Sequence, residues 1–238
     1  MVRNNYIDNN NKPKTTGEVR ISLKKVREIG LKYWSLSGKV TSIKTNKFVS
    51  FESSLERDLI YHLEFDSNVK LYTEQPIRMY YEIDRLKTFY VPDFYVEYFD
   101  KTPNTIIEVK YQKDLKENRK KLKAKFSAAR EFCLKNNLEF KILSEKEIRN
   151  DKLLNIKFLL DYRNPNIDVN YEMVDKICDY LTNLDSSTPK KLLKDISTDQ
   201  NEKAQLLYVL WYSIANGFVK INLDQKINMN SEIFKSEL

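Results

Sequence analysis

The sequence predicts an α/β protein, in which a mixed sheet flanked by helices precedes a mostly helical C-terminal region. Apolar residues recur every four positions through 51–66, which indicates an amphipathic helix. Aromatic and β-branched residues then form runs that are typical of strands, and these runs lie at 77–83, 88–99 and 105–111. From about residue 151 the pattern becomes helical again.

The first 40 residues are predicted to form a basic arm. Residues 1–16 are rich in Asn, Lys and Thr, a composition that is typical of disorder. Residues 20–34 carry apolar side chains near helical spacing and predict a short basic helix, with Lys24, Lys25 and Arg27 on its polar surface. Residues 37–50 alternate loosely, which predicts a loop or short strands.

Residues 41–150 are predicted to form the main domain, in the order helix, strand, strand, strand, helix, strand. Ser53 or Ser54 is a suitable N-cap for the first helix. Pro92 lies inside the predicted strand 88–99, and proline cannot donate to a ladder, so an edge position or a bulge is expected there. The last two elements are a basic helix over 113–136 and a strand over 138–144.

Residues 151–238 are predicted to form a second domain. Helices are expected over 170–183, 188–196 and 200–216, and a small hairpin over 219–230. Three helices followed by a hairpin resemble a winged-helix module. The third helix is mostly apolar, whereas a helix that reads a DNA groove carries Arg, Lys, Asn or Gln on its exposed face. This domain is therefore expected to dock a protein rather than to read DNA.

Composition excludes several classes of protein. The chain has 238 residues and a net charge of +7, and no apolar run approaches the roughly 20 residues that span a bilayer. The N-terminus lacks the apolar centre of a secretory signal, so a cytoplasmic protein without a membrane partner is expected. Cys133, Cys178 and His62 are the only cysteines and histidine, which excludes a Cys/His zinc cluster. Any metal must therefore bind oxygen ligands, as Mg²⁺, Mn²⁺ and Ca²⁺ do.

Charge is distributed unevenly along the chain. Residues 51–109 hold six Lys/Arg and 12 Asp/Glu, whereas residues 110–130 hold nine Lys/Arg and two Asp/Glu. Residues 1–50 are also basic, with 11 Lys/Arg and three Asp/Glu. This pattern suits a polyanion that is held by basic flanks around acids that bind cations. A solvated basic helix and a disordered arm explain the charges equally well.

Three acids and a lysine are predicted to converge. Glu108 and Lys110 are two positions apart on one strand and therefore face the same way. Asp93 lies on the neighbouring strand, but a turn at 100–104 pairs it near residue 111, so a bulge at Pro92 is needed to bring it beside Glu108. Glu56 points along the apolar stripe of the first helix, where a carboxylate needs a partner.

This set of residues is suited to the hydrolysis of a phosphodiester bond. Carboxylates bind divalent ions that polarise the phosphate and lower the pKa of a bound water. A nearby lysine positions the water or offsets developing negative charge. The alternative is an exposed Glu108–Lys110 pair on a solvated strand face, which leaves Glu56 unexplained.

The arrangement of Pro92-Asp93, Glu108-Val109-Lys110 and an upstream helix acid resembles the PD-(D/E)xK, or restriction-endonuclease-like, superfamily. More narrowly, SSLERDLIYHLEFDSNVKLYTEQP, VPDFYVEY and IIEVKY are similar to segments of the TnsA family. Members of that family are the endonuclease subunits of heteromeric cut-and-paste transposases. The resemblance covers roughly residues 40–145, and the family carries a winged-helix domain where this chain becomes helical.

The resemblance implies an Mg²⁺-dependent endonuclease, with Mn²⁺ as a substitute, that cuts the 5′ ends of a transposon in double-stranded DNA. A TnsB-type transposase would cut and join the 3′ ends, and a TnsC-type ATPase would contact the C-terminal domain. By motif, Glu56 matches the helix acid, Asp93 the PD acid and Lys110 the motif lysine. Some members have Gln in place of Glu108, and Gln75 matches a recurrent feature that is expected near the site.

The predicted functional residues fall into two groups. Glu56, Asp93 and Glu108 are expected to bind the metal, with the Val109 carbonyl as a further ligand. Phosphates are expected to contact Lys24, Lys25, Arg27, Lys113, Lys116, Arg119, Lys120 and Lys123. Two other functions stay open: a stand-alone restriction or repair endonuclease of the same superfamily, and a non-catalytic adaptor that only binds DNA or a regulator.

Overall fold

The structure, a computed structural model, describes residues 36–83, 86–163 and 168–236. The chain divides into two compact units, one that ends at Ile148 and one that runs from Arg149 to Leu238. The predicted basic helix 20–34, with Lys24, Lys25 and Arg27, lies outside the described residues.

The first unit combines strands and helices in a mixed order. In chain order its elements are β1 (Gly38–Ser42), β2 (Lys47–Phe51), α1 (Ser54–Phe65), β3 (Val69–Glu74), β4 (Met79–Ile83), β5 (Leu86–Tyr90), β6 (Phe94–Tyr98), β7 (Thr105–Val109), α2 (Gln112–Glu117), α3 (Arg119–Lys135), β8 (Glu139–Leu143) and α4 (Glu145–Ile148). The central sheet has the strand order β3-β6-β7-β8. The pairs β3–β6 and β6–β7 are antiparallel and β7–β8 is parallel, which confirms the predicted mixed sheet.

Alternate residues of β7 enter two different cores. Ile107 and Val109 pack with the apolar stripe of α1, which includes Leu55 and Leu59. Ile106 packs on the other side, with Ala129 of α3 and with residues of β4 and β5. Glu108 alternates with Ile107 and Val109, so its side chain is directed to the α3 side of the sheet. Helix α1 and Glu108 therefore belong to opposite faces.

Helix α1 begins where the sequence predicts. Ser53 is the N-cap, and its hydroxyl accepts a hydrogen bond from the Glu56 N–H. The Glu56 carboxylate bonds back to the Glu52 N–H and the Ser53 hydroxyl, at 2.8 and 2.9 Å. This reciprocal arrangement resembles a capping box, except that the return bond is made to the residue before the N-cap. Glu56 thus helps to start the helix that carries it.

The predicted strand 88–99 is in fact two strands. Strand β5 pairs with β4 in a separate hairpin, whereas β6 belongs to the central sheet. The chain leaves strand conformation at Val91–Asp93. The reason is Pro92, which has no N–H for a ladder, so the break replaces the bulge that the sequence suggested. The segment Val69–Glu74 forms a further strand that the sequence pattern did not predict.

The predicted register of β6 against β7 was wrong by three residues. Phe94 pairs with Ile107 and Val96 with Thr105, which places position 93 opposite position 108 rather than near 111. Beyond Val96, strand β6 pairs only with β3, and the Tyr98 N–H bonds to the Asn104 side chain at 3.4 Å. The wider loop that results brings Asp93 to Glu108 without a bulge.

The basic segment after β7 also differs from the prediction. It forms two helices, α2 and α3, instead of one helix over 113–136. The break lies at Asn118, whose φ of −102° and ψ of 15° depart from helical values. The last strand, β8, lies close to its predicted position.

The second unit is mostly helical, as predicted. Its elements are α5 (Asp151–Leu160), a 3₁₀ turn (Asp161–Arg163), α6 (Tyr171–Thr182), α7 (Pro189–Ile196), α8 (Gln200–Ala215), β9 (Val219–Ile221) and β10 (Ile233–Lys235). Helix α7 starts with Thr188 as N-cap and Pro189 in its first turn, a common helix start.

The predicted hairpin over 219–230 is wider than the sequence suggested. Strand β9 pairs with β10, so the connection runs over residues 222–232. The buried side chain of Asn155 holds this connection. Its Nδ2 donates to the carbonyls of Leu223 and Gln225, both at 2.8 Å, and its Oδ1 accepts from the Ile227 N–H at 3.1 Å. These bonds favour an irregular loop over a tight turn.

Over the ranges that the structure describes, none of the helices combines the length and the apolar character that crossing a membrane demands.

Candidate active site

Asp93 and Glu108 lie opposite each other at one end of the central sheet, because the register continues outward from the Phe94–Ile107 pair. Asp93 Oδ2 accepts a hydrogen bond of 2.7 Å from the Val109 N–H, which ties Asp93 to β7. Its other oxygen, Oδ1, accepts no hydrogen bond from the described residues. Asp93 therefore offers one carboxylate oxygen to a ligand.

The charge of Asp93 is held in an unfavourable environment. Burial raises its pKa well above the usual range, and the charges of Glu108 and Glu56 raise the pKa further. Lys110 and the Val109 N–H lower the pKa without offsetting these effects. Like charges act on one another in this way only when they lie close together. The carboxylates of α1, of β7 and of the segment before β6 are therefore close enough to repel one another, and together they attract a cation.

Glu108 is buried, with 1% of its side chain exposed, and three groups surround it. Lys125 Nζ donates to Oε1 and the Tyr90 hydroxyl donates to Oε2, each at 2.7 Å. Lys110 Nζ lies 3.6 Å from Oε1. The alternative of an exposed Glu108–Lys110 pair is therefore wrong for Glu108, which is an interior carboxylate.

Lys110 follows β7 directly and stays close to all three acids. Its N–H continues the ladder to β8, with a bond of 3.0 Å to the Leu143 carbonyl. Burial alone would lower the pKa of Lys110, but the charges of Glu108, Asp93 and Glu56 raise the pKa above its usual value. The side chain is half-buried, so its ammonium group is charged and still accessible to a ligand.

Glu56 reaches the site from the other face of the sheet, at the start of α1. Burial is the main cause that raises its pKa, whereas the capping bonds from Glu52 and Ser53 and the charge of Lys110 lower it. The prediction that this carboxylate needs a partner is confirmed. Its hydrogen-bond partners belong to the helix start, so Glu56 has a structural role besides any catalytic one.

Gln75 lies between the start of α1 and Asp93. Its backbone N–H donates to the Asp93 carbonyl at 2.8 Å, and its Nε2 donates to Glu52 Oε1 at 3.2 Å. Its φ of 46° is unusual for a residue other than glycine and indicates local strain. The buried Oε1 has no hydrogen-bond partner within the described part of the chain. Strain and an unsatisfied acceptor both indicate a functional position.

Two residues of the site were missed by sequence reasoning, namely Lys125 and Tyr90. Lys125 lies three positions after Leu122 and four before Ala129, so it interrupts the apolar side of α3. That spacing was the available signal, but it was hidden among the other lysines of the helix. Tyr90 had no signal, because five other aromatic residues lie in the predicted strand 88–99.

Five of the eight predicted phosphate contacts lie on α2 and α3. All five are exposed, namely Lys113, Lys116, Arg119, Lys120 and Lys123. Lys113 makes one weak ion pair, 3.9 Å from Glu117. These side chains are therefore accessible to a polyanion.

The donors at this site suit a hard divalent cation. Asp93 Oδ1 and Gln75 Oε1 are oxygens without a hydrogen bond from the described residues, and such donors suit Mg²⁺ and Mn²⁺. Over the described ranges, no three His, Cys, Asp or Glu side chains already stand in a metal-binding arrangement. Glu56 and Glu108 use both their oxygens in other bonds. The oxygen donors are of the type that Mg²⁺ and Mn²⁺ bind, but Glu108 can serve as a ligand only if it gives up one of its present hydrogen bonds.

The mixed sheet with two acids and a lysine at the end of β7 defines a protein of the restriction-endonuclease-like class. Comparison with family models narrows this class. The model described as TnsA-like endonuclease N terminal matches residues 66–145, and the model described as TnsA endonuclease C terminal matches residues 147–223. The chain belongs to the TnsA family. It is an endonuclease of Tn7-like transposition, and its family acts on DNA together with transposase partners.

The N-terminal match includes Gln75, Asp93, Glu108 and Lys110, whereas Glu56 lies upstream of it. A search of curated proteins found no match to this chain.

Proposed function

We propose that this protein is an Mg²⁺-dependent endonuclease that cuts the 5′ ends of a transposon. The observation that carries this proposal is the convergence of Asp93, Glu108 and Glu56 on Lys110 at the end of β7. An excess of carboxylates beside a charged, accessible lysine is the arrangement that phosphodiester hydrolysis needs. A structural ion-pair network would leave fewer carboxylates repelling one another.

Asp93 and Glu108 would hold the metal, with Glu56 and the Val109 carbonyl as further ligands. When bound, a divalent ion would polarise the phosphate and lower the pKa of a bound water. Mn²⁺ would substitute for Mg²⁺, because both accept oxygen ligands. Gln75 Oε1 would accept a hydrogen bond from a water in the site, since it has no partner among the described residues.

Lys110 would orient the attacking water and offset negative charge that develops on the phosphate. Its raised pKa keeps the ammonium group protonated at neutral pH, so it acts as a charge and a hydrogen-bond donor rather than as a base. The exposed basic residues of α2 and α3 would hold the DNA backbone. The site residues thus bind, orient and neutralise, and none of them forms a covalent bond to the substrate.

The second unit would dock a TnsC-type ATPase, and a TnsB-type transposase would process the 3′ ends. Helix α8 buries seven of its 16 residues, all between Leu206 and Ala215, and it carries one Lys and no Arg, so it has few of the groups that read a DNA groove. Exposed apolar side chains of this unit, Leu154 and Phe158 on α5 and Tyr208 on α8, suit a protein contact better than a phosphate contact. We assign this unit a winged-helix-like docking role and the whole protein a cytoplasmic location.

The test is a reconstituted transposition assay that measures 5′-end and 3′-end cleavage separately. Lys110→Ala should abolish 5′ cleavage and leave 3′ cleavage by the partner transposase intact. Lys135→Ala is the matched control, because Lys135 is an exposed lysine that pairs with Glu131 on the surface of α3. Full 5′ cleavage by Lys110→Ala would rule out the assigned site.

The same assay separates the other two functions. Cleavage of plain duplex DNA without partners would indicate a stand-alone nuclease. Normal DNA binding without cleavage, in the presence of all partners and of Mg²⁺ or Mn²⁺, would indicate a non-catalytic adaptor.

A further inference from the structure

We propose that Lys125 is the resident counter-ion of Glu108 and competes with the divalent metal for that carboxylate. The inference rests on the proposed function, because it takes Glu108 to be a metal ligand. It adds a positioning residue that the acid-acid-lysine pattern does not contain.

The geometry of Lys125 is that of a specific partner rather than of a surface lysine. Its Nζ lies 2.7 Å from Glu108 Oε1, whereas Lys110 Nζ lies 3.6 Å from the same oxygen. The Lys125 side chain is 20% exposed, and its ammonium group also lies 4.2 Å from the centre of the Tyr90 ring. Tyr90 in turn donates to the other oxygen of Glu108. Lys125 and Tyr90 together therefore fix both oxygens of one buried carboxylate.

Such a pair resolves a conflict between folding and metal binding. A buried carboxylate without a counter-ion is strongly destabilising. Lys125 supplies that counter-ion in the metal-free protein. A divalent ion at Glu108 must displace the ammonium group or share the oxygen with it, so Lys125 weakens metal binding. The neighbouring Tyr90 ring offers the displaced ammonium group a cation–π contact, which eases the exchange.

The position of Lys125 on α3 also favours its contact with Glu108. Lys125 lies on the side of α3 that packs against the sheet, next to the buried Phe126. The five predicted phosphate contacts, in contrast, are all exposed. Proximity to Glu108, and not the general basicity of the segment, is what separates Lys125 from its neighbours.

The first test is calorimetric titration of the metal-free full chain with MnCl₂ at neutral pH. Lys125→Met removes the competing charge and should tighten Mn²⁺ binding about tenfold or more, because unit charges at this distance interact by more than ~1.4 kcal/mol at a protein surface. Lys125→Arg keeps the charge and should bind Mn²⁺ like the wild type. Lys135→Met, which breaks an exposed ion pair on the same helix, should leave the affinity unchanged.

The second test uses the wild-type protein and so does not depend on a variant that folds. Lysine acylation followed by mass spectrometry should show greater labelling of Lys125 when Mn²⁺ is present, with Lys135 as the internal reference. Labelling that is the same with and without bound Mn²⁺ would overturn the inference.

The outcomes separate this inference from the proposed function. If the wild type binds Mn²⁺ and Lys125→Met binds it with equal or lower affinity, Lys125 is not a competitor and only this inference fails. If the wild type binds no Mn²⁺ with or without DNA, the metal site itself fails and the inference fails with it.

Discussion

Asp93→Asn tests whether the acid cluster is destabilised in the metal-free protein. Asparagine has the shape of aspartate, and its side-chain oxygen can still accept the Val109 N–H bond. The substitution therefore removes the charge and keeps the geometry. We expect cleavage to be lost, because the acid that bridges the two strands can no longer bind a cation. We also expect the metal-free variant to be more stable than the wild type above neutral pH.

The size of this stabilisation follows from opposing contributions. The Val109 bond weakens by about 1 kcal/mol, since hydrogen bonds to charged groups contribute more than those to neutral groups. The attraction of Asp93 to Lys110 is lost as well. Against these losses, repulsion from Glu108 and Glu56 is relieved and a buried charge is removed, which together outweigh the losses because the pKa is raised. A net gain of about 1–3 kcal/mol is expected.

The stability difference between the wild type and Asp93→Asn should depend on pH in a definite direction. The pKa of Asp93 is higher in the folded chain than in the unfolded chain, so the folded state binds the proton more tightly. The stability that protonated Asp93 contributes is fully present below about pH 4, the usual pKa of an aspartate. It is lost as the pH rises through the raised pKa. The variant should match the wild type near pH 4 and exceed it at mildly alkaline pH.

The assay is urea unfolding of both proteins in EDTA across this pH range. Asp100→Asn is the control, because the hydrogen bonds from Thr102 lower the pKa of this exposed acid and the substitution should reduce stability at neutral pH. Saturating Mn²⁺ should then restore the wild type alone, since ligand binding stabilises only the protein that binds it. The reasoning is refuted if Asp93→Asn lowers stability at alkaline pH in EDTA as Asp100→Asn does.

Two further predictions concern the second unit and the basic helices. Asn155→Ala should lower the free energy of unfolding by about 2–4 kcal/mol, measured by urea unfolding, because the buried Asn155 amide loses its bonds to three backbone groups of the loop. Asn183→Ala, which loses one exposed bond to the Asp179 carbonyl, is the control, and a similar loss in both would argue against the loop clamp. Lys120→Ala combined with Lys123→Ala should reduce the slope of log K against log salt for duplex DNA by about 1–2, and an unchanged slope would remove these residues from the DNA interface.

Local patterns were sufficient to predict much of the fold. The four-residue apolar repeat and Ser53 define α1 in sequence, because a helix needs a buried stripe and a capped start. The strand at Thr105–Val109 was also predictable from its β-branched residues. What could not be predicted was which strands pair. Nothing local distinguishes β5 from β6 as members of different sheets, and only Pro92 marked the point of division.

The acids of the site were predictable, but their geometry was not. Asp93 meets Glu108 because Asn104 bonds to the Tyr98 N–H and the Tyr95 hydroxyl, which holds a wide loop and sets the register. Such side-chain bonds across a loop are tertiary contacts, so counting from a turn gave the wrong pairing. Lys125 was missed for a related reason, since its role depends on α3 packing over the face of β7 that carries Glu108.

Two of the three acids have hydrogen-bond partners that a role in metal binding alone does not require. Glu56 satisfies the start of α1, and Glu108 is neutralised by Lys125 and bonded by Tyr90. Each carboxylate is therefore held in position before a metal arrives, at the cost of oxygens that are already occupied. Asp93 differs, because one of its oxygens accepts no hydrogen bond from the described residues. A cation entering the site would meet Asp93 first, and Glu108 would join when Lys125 releases it. The order of ligand exchange is thus set by which acid the fold leaves least satisfied.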